Sequence, residues 1–352
     1  MRDIAEIDKN FVLKTEIDKS DIVFYDVLNK PFSIHGLFYK DGMFRRIPED
    51  VAKTVSKDVF ALHTHTAGGR VRFKTNSPYV AINAEMGHIH RMTRFAMTGS
   101  SGFDMYIKDK NGQRYYKTFI LPVDIVDGYS SVHEFNTNET REITINFPLY
   151  SEVTKLHIGV AKDAFVEAPD EYSIKTPVVF YGSSITQGCC ASRPGSSYES
   201  IISRMVDCDY INLGFSGSAL AEDEIAEYIK KLDMSVFVYD YDHNSPSAEY
   251  LAETHEKMFK TIRSANPDLP VVMVTRPKVY LDESEQKRFE IVKQTYENAK
   301  RAGDKNVYFI SGQKIMEPTN NEGTVDDIHP NDYGYAMMAK VIGEEIEKIL
   351  KP

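Results

Sequence analysis

Two adjacent serines, Ser183 and Ser184, end the apolar run "VVFYG", and far downstream Asp326 stands three residues before His329. A serine hydroxyl is a poor nucleophile until an imidazole takes its proton, and a carboxylate must hold that imidazole in the right tautomer. The short interval lets the Asp326 carboxylate reach the His329 ring within one loop. Between these stretches lie "GFSGSA", with Gly214, Ser216 and Gly217, and "YDHN", with Asp242, His243 and Asn244. A backbone N–H beside a glycine and an asparagine amide are donors suited to the oxyanion that develops on a substrate carbonyl. Types and order together describe acyl transfer through a serine nucleophile, chemistry that needs no metal or organic cofactor. The residues alone leave open whether Ser183 or Ser184 attacks.

Such groups must be delivered to one place. After "VEAPDEYSIKTP", a linker around residues 168–177, short buried runs ("VVFY", "YINLG", "SVFVYD", "VVMVT", "NVYFIS") alternate with helical patterns. Ile225, Tyr228, Ile229 and Leu232 share one helical face, as do Leu251, His255, Met258 and Ile262, then Phe289, Val292, Tyr296 and Ala299. A final helix runs from about Asn331 to Leu350, and Pro246 after Ser245 reads as the first helical residue behind its cap. Regular strand–helix succession predicts a parallel five-stranded sheet in a three-layer α/β/α sandwich. Ligands of such sheets bind beyond the carboxyl ends of the strands, where these polar residues fall.

The first half follows another rule. From about residue 33 to 160 the period is 2: Val71 and Phe73 alternate with Arg70, Arg72 and Lys74, Val80, Ile82, Ala84 and Met86 share a face, and so do Ile143, Ile145 and Phe147. Turn signals such as "AGG", "NSP", "KDKNGQ" and "DGYSS" punctuate these runs. The pattern predicts an antiparallel β-sandwich or jelly roll over residues 1–170, followed by an α/β domain over 175–352.

Of the 352 residues, 42% are hydrophobic and 27% charged, ordinary for a globular protein, and the formal net charge is −10. That acidity argues against nucleic-acid or anionic-membrane partners and favours a neutral or weakly cationic small molecule. The N-terminal stretch is charge-dense and reads as neither signal peptide nor membrane span, so a cytoplasmic location is expected. Three cysteines, Cys189, Cys190 and Cys208, form no disulfide or zinc ladder. The pairs His63/His65 and His88/His90 have the i, i+2 spacing of a shared strand face, but each pair lacks third and fourth ligands, so no metal is expected. A homo-oligomer stays open.

"GSSITQG", "NLGFSGSA", "DHN" and "DDIHP", in that order, resemble the four blocks of the SGNH (GDSL-type) hydrolase superfamily. The resemblance implies a flavodoxin-like sheet, with Ser184 as nucleophile, Asp326 and His329 completing the triad, and Ser184 N–H, Gly217 and Asn244 forming the oxyanion hole. Here the family's G-D-S reads G-S-S, with Ser183 in the aspartate's place, and G-x-N-D reads D-H-N-S, which makes His243 a candidate for the pocket wall. "SGFDMY" resembles the G-x-D-L-Y signature of a β-sandwich that precedes some bacterial members. Its Asp104 and Tyr106 either shape the substrate groove or stabilise the domain interface. Proteins of this two-domain build resemble carbohydrate O-acetyl esterases, which implies an acetylated manno- or xylo-oligosaccharide substrate.

Overall fold

The computed structural model describes residues 4–13, 16–109 and 112–351; residues 110–111, the tip of the "KDKNGQ" turn, lie outside that set, as do residues 1–3, 14–15 and 352. Its first half is two antiparallel sheets. One orders the strands Ile22–Asp26, Val153–Ala161, Tyr79–Met86 and Gly128–Glu134. The other orders Val166–Glu167, Arg70–Thr75, Arg141–Asn146, Phe103–Asp109 and Gly112–Phe119, with Ser33–His35 also paired to Arg70–Thr75. Val80, Ile82 and Ala84 of the first sheet meet Val71, Phe73, Ile143 and Ile145 of the second in one buried core. The period-2 pattern produces this core directly, because alternate side chains of a strand share a face.

The opposite face of the second sheet is buried as well. Arg70 and Arg72 alternate with the core residues as a solvated face would, yet they are 2% and 4% exposed. They are covered by the second half of the chain. Arg70 pairs with Asp209, donates to the Tyr172 hydroxyl at 3.0 Å and lies 3.8 Å over the Tyr210 ring, while Arg72 meets Glu142 at 2.6 Å. Buried charge is tolerable only with such pairing.

The second half is a five-stranded parallel sheet in the order Cys208–Gly214, Ile174–Gly182, Val236–Asp240, Val271–Val274, Val307–Ile310. Successive residues of its central run feed opposite cores: Val178 and Phe180 pack toward the Tyr198–Val206 and Asp332–Leu350 helices, Val179 and Tyr181 toward Asp223–Ile229, Ala248–Ala265 and Glu283–Arg301. That explains why the strands read as unbroken apolar runs.

Two details differ from the sequence reading. Residues Glu49–Val55 and Lys57–Leu62, inside the period-2 region, are helices whose Ala52 and Val59 join the core of the parallel sheet. Their apolar positions 52, 55, 59 and 62 have helical spacing, and Ser56 caps the second helix by accepting from Val59 N. The helix near Pro246 starts at Ala248, with Ser247 as its cap accepting from Tyr250 N, so Pro246 precedes the helix instead of opening it. Among the described residues no helix is long and apolar enough to cross a membrane.

Candidate active site

The first parallel strand ends at Gly182 and turns into a one-turn helix, Ser184–Gln187. Ser183 is its N-cap: the Ser183 hydroxyl accepts from Ile185 N at 3.1 Å, and the residue is fully buried. Serine and aspartate cap helices about equally well, which accounts physically for Ser183 standing where G-D-S sequences carry Asp. With Ser183 committed to the cap, Ser184 takes the first helical position, 7% exposed. The first N–H groups of a helix have no intrahelical acceptor, so the Ser184 N–H is free for a ligand. Close approach dictates the neighbouring glycines. A Cβ at Gly182 would lie 2.0 Å from Asp240 Oδ1, and one at Gly214 would lie 2.2 Å from Gln187 N.

From the far end of the chain, the loop before the last helix brings in His329 and Asp326. Asp326 Oδ2 accepts from His329 Nδ1 at 3.0 Å, which leaves Nε2 as the acceptor, and it stands 3.0 Å from Ser184 Oγ. Burial pushes the Asp326 carboxyl up, but the backbone N–H and imidazole of His329, with Ile328 N–H, outweigh it and hold the group at about 2. The carboxylate is therefore ionised at neutral pH and orients the ring. The structure thus joins Ser184, His329 and Asp326 in one hydrogen-bonded chain.

The second parallel strand ends at Gly214 and leads into the turn that holds Gly217. This glycine has φ +68, and a Cβ placed on it would find open space. The turn is held from two sides. Asn244 Nδ2 donates to Phe215 O at 3.2 Å, and Ser216 N donates to Gln187 Oε1 at 3.0 Å. Asn244 is thereby docked against the Gly217 turn with one amide hydrogen still unassigned. The N–H groups of Ser184 and Gly217 and the Asn244 amide thus belong to turns that follow neighbouring strands of the parallel sheet.

The remaining sequence candidates sit elsewhere. His243 Nδ1 is bound to Asp242 Oδ1 at 3.0 Å, and the residue lines a small cavity with Thr275, Arg276 and Arg288; it makes no hydrogen bond to the Ser184 chain. Asp104 is completely buried between the two halves of the molecule, accepting from Asn146 Nδ2 at 2.8 Å, Gly195 N at 2.9 Å and Arg193 Nη1 at 3.2 Å. Tyr106 donates to Gly195 O at 3.1 Å beneath the Arg204 guanidinium. Of the two roles left open for this pair, its contacts are those of an interface clamp on the segment that follows the Ser184–Gln187 helix. His65, His88 and His90 pack edge to face, with centroids 4.8 and 4.2 Å apart, and His63 lies against Arg45.

Four residues around the site carried no sequence signal. Arg94, from the sandwich half, reaches Asp326 Oδ2 at 2.9 Å. The Tyr150 hydroxyl donates to Ser184 O at 3.3 Å. Gln187, fully buried, also donates from Nε2 to Leu149 O at 3.2 Å. Arg46 is also buried: it donates to the carbonyls of Gly214, His65 and Leu62 and lies 4.7 Å over the Phe215 ring. Burial lowers its guanidinium to about 9, yet it keeps its charge at neutral pH and fixes the strand end that launches the Gly217 turn.

The architecture has solved relatives. A protein designated a GDSL-like lipase from Bacteroides ovatus aligns with TM-score 0.84 and 29% identity over 94% of this chain and 98% of that one. A salicylyl-acyltransferase from a tetracycline biosynthetic pathway aligns with TM-score 0.76 and 17% identity over 95% and 99%. An acetyl xylan esterase from the rumen bacterium Butyrivibrio proteoclasticus aligns with TM-score 0.57 and 12% identity over 94% and 99%. No curated protein sequence matches the chain. Residues 22–166 match the GxDLY domain, the N-terminus of SGNH-hydrolase-type esterases, and with residues 175–347 matching its family model, the chain belongs to the GDSL-like lipase/acylhydrolase family.

Proposed function

We propose that the protein is a serine esterase that removes O-acetyl groups from carbohydrates, such as acetylated manno- or xylo-oligosaccharides, through an acyl-enzyme. The observation that carries the esterase reading is the continuous chain Ser184 Oγ, His329 Nε2, His329 Nδ1, Asp326 Oδ2, with its two links at 3.0 Å each. His329 takes the Ser184 proton as the oxygen attacks the acetyl carbonyl. The N–H groups of Ser184 and Gly217 and the Asn244 amide receive the negative charge on the carbonyl oxygen. His329 then passes its proton to the departing sugar hydroxyl, and the acetyl group stays on Ser184. Water, deprotonated by the same imidazole, attacks the acyl-enzyme, and acetate leaves as Ser184 regains its proton.

The sugar part of the reading rests on the sequence resemblance to carbohydrate O-acetyl esterases, on a fold shared with an acetyl xylan esterase, and on the polar Arg94, Asp326 and His329 beside the nucleophile. In this reading the enzyme acts in the cytoplasm on imported oligosaccharides and carries no cofactor. The test is a panel of acetylated oligosaccharides read by mass spectrometry, run beside acetyl to octanoyl esters and with added alcohol acceptors. Loss of acetyl from oligosaccharides, with turnover falling as the acyl chain lengthens, is the expected result. A preference for octanoyl esters would refute the acetyl-sugar assignment, and acyl transfer to the added alcohol in excess of hydrolysis would make the protein an acyltransferase.

A further inference from the structure

Directly behind the nucleophile helix, Gly188 closes it in the left-handed region and two cysteines follow. Cys190 also adopts the left-handed region, at φ +72, a conformation that a side chain with a Cβ adopts only at a cost. Adjacent residues of an extended chain point apart. Here the turn sets both thiols on one side, with the sulfurs 3.5 Å apart. One imidazole nitrogen of His329 joins them, so that the three donor atoms all lie within 4.8 Å of one another. Cys189 and Cys190 are 4% and 8% exposed, and the side chain of His329 is 18% exposed.

We propose that Cys189, Cys190 and His329 form a site for a thiophilic divalent cation such as Zn2+ or Cd2+, and that its occupation switches the esterase off. Two Zn–S bonds of about 2.3 Å at the tetrahedral angle separate their sulfurs by about 3.8 Å, so the thiols are spaced for a shared ion with little movement. A disulfide fits less well. Its sulfurs must close to about 2.05 Å, and adjacent Cα atoms, about 3.8 Å apart, fall short of the usual disulfide span of about 4.4 Å or more. On binding, each thiol forms a metal–sulfur bond and releases its proton to solvent. Two thiolates and a neutral imidazole then offset the charge of the ion, and water completes the coordination.

The consequence for turnover follows from the geometry of His329. Its Nε2 faces Ser184 and its Nδ1 faces Asp326, so coordination through either nitrogen breaks one of the two links. That consequence rests on the esterase reading above, whereas binding itself does not.

Titration of the reduced full-length protein with Cd2+ separates the two. The proposal expects a thiolate-to-cadmium charge-transfer absorption saturating at one ion per chain, with ester turnover falling at least tenfold over the same titration and returning on addition of a chelator. Ser184→Ala should keep the absorption, which shows binding even if the esterase assignment fails. Cys189→Ser/Cys190→Ser should lose both the absorption and the inhibition while keeping basal turnover. Cys190→Gly, which suits the left-handed backbone, serves as a second variant that removes one ligand while preserving the turn. Absence of the absorption in the wild type, its survival in the double-serine variant through Cys208, or saturation with turnover unchanged would each overturn the proposal.

Discussion

Replacing Asp104 by alanine separates the two roles that its signature motif allows. Its carboxylate is wholly buried and accepts from Asn146, from the Gly195 N–H and from Arg193. Truncation leaves two buried donors, the Asn146 amide and the Gly195 N–H, each costing about 1–2 kcal/mol. Arg193, whose side chain is 24% exposed, can turn to water and adds little. The total is about 2–4 kcal/mol. For a chain of 352 residues the unfolding entropy is about 0.7 kcal/mol/K, so Tm should fall by about 3–6 °C. The assay is differential scanning fluorimetry beside steady-state kinetics on an acetyl ester. A clamp predicts the Tm loss with KM nearly unchanged and kcat reduced by less than about tenfold, because Gly195 lies beyond the nucleophile helix and touches no reacting atom. An unchanged Tm with KM raised tenfold or more would refute the clamp and return Asp104 to the substrate groove.

Asp326→Asn should lower kcat by about 10³- to 10⁴-fold with the fold retained, because an amide no longer selects the imidazole tautomer that leaves Nε2 basic. The same group sets a sign for acid stability. Its folded carboxyl lies at about 2, below the ordinary 3.8, so its contribution is complete above the ordinary range and lost as pH falls toward 2. Acid unfolding of the wild type should therefore be steeper over that window than that of the Asn variant. Gln187→Ala should cost about 1–3 kcal/mol by orphaning the Ser216 N–H. It should lower kcat by about tenfold to a hundredfold through a misplaced Gly217 turn, with KM little changed.

The residues of the hydrogen-bonded chain Ser184, His329 and Asp326 were legible in the sequence because chemistry restricts their types. Few residues can play nucleophile, base and orienting acid, and the strand-end positions of Ser184, Asp326 and His329 follow from the α/β alternation. Choosing Ser184 over Ser183 needed either the family blocks or the cap hydrogen bond that occupies the Ser183 hydroxyl. Residues acting across the two halves were not legible. Periodicity separates Arg70 and Arg72 from Val71 and Phe73 but carries no information about what covers the second face. Arg46, Arg94 and Tyr150 reach the site only through tertiary contacts, and none stands in a spacing that marks it. The helical pair at 49–62 did carry a 3.6-residue pattern, but its two helices are short and lie in a region dominated by period 2.

The central claim is that His329 and Asp326 make Ser184 a nucleophile, and an active-site phosphonylating probe followed by peptide mass spectrometry tests it most directly. A fluorophosphonate should leave one adduct per chain on Ser184, absent in Ser184→Ala and formed at least a hundredfold more slowly in His329→Ala. An adduct on Ser183, or labelling of Ser184 at the same rate without His329, would contradict the account.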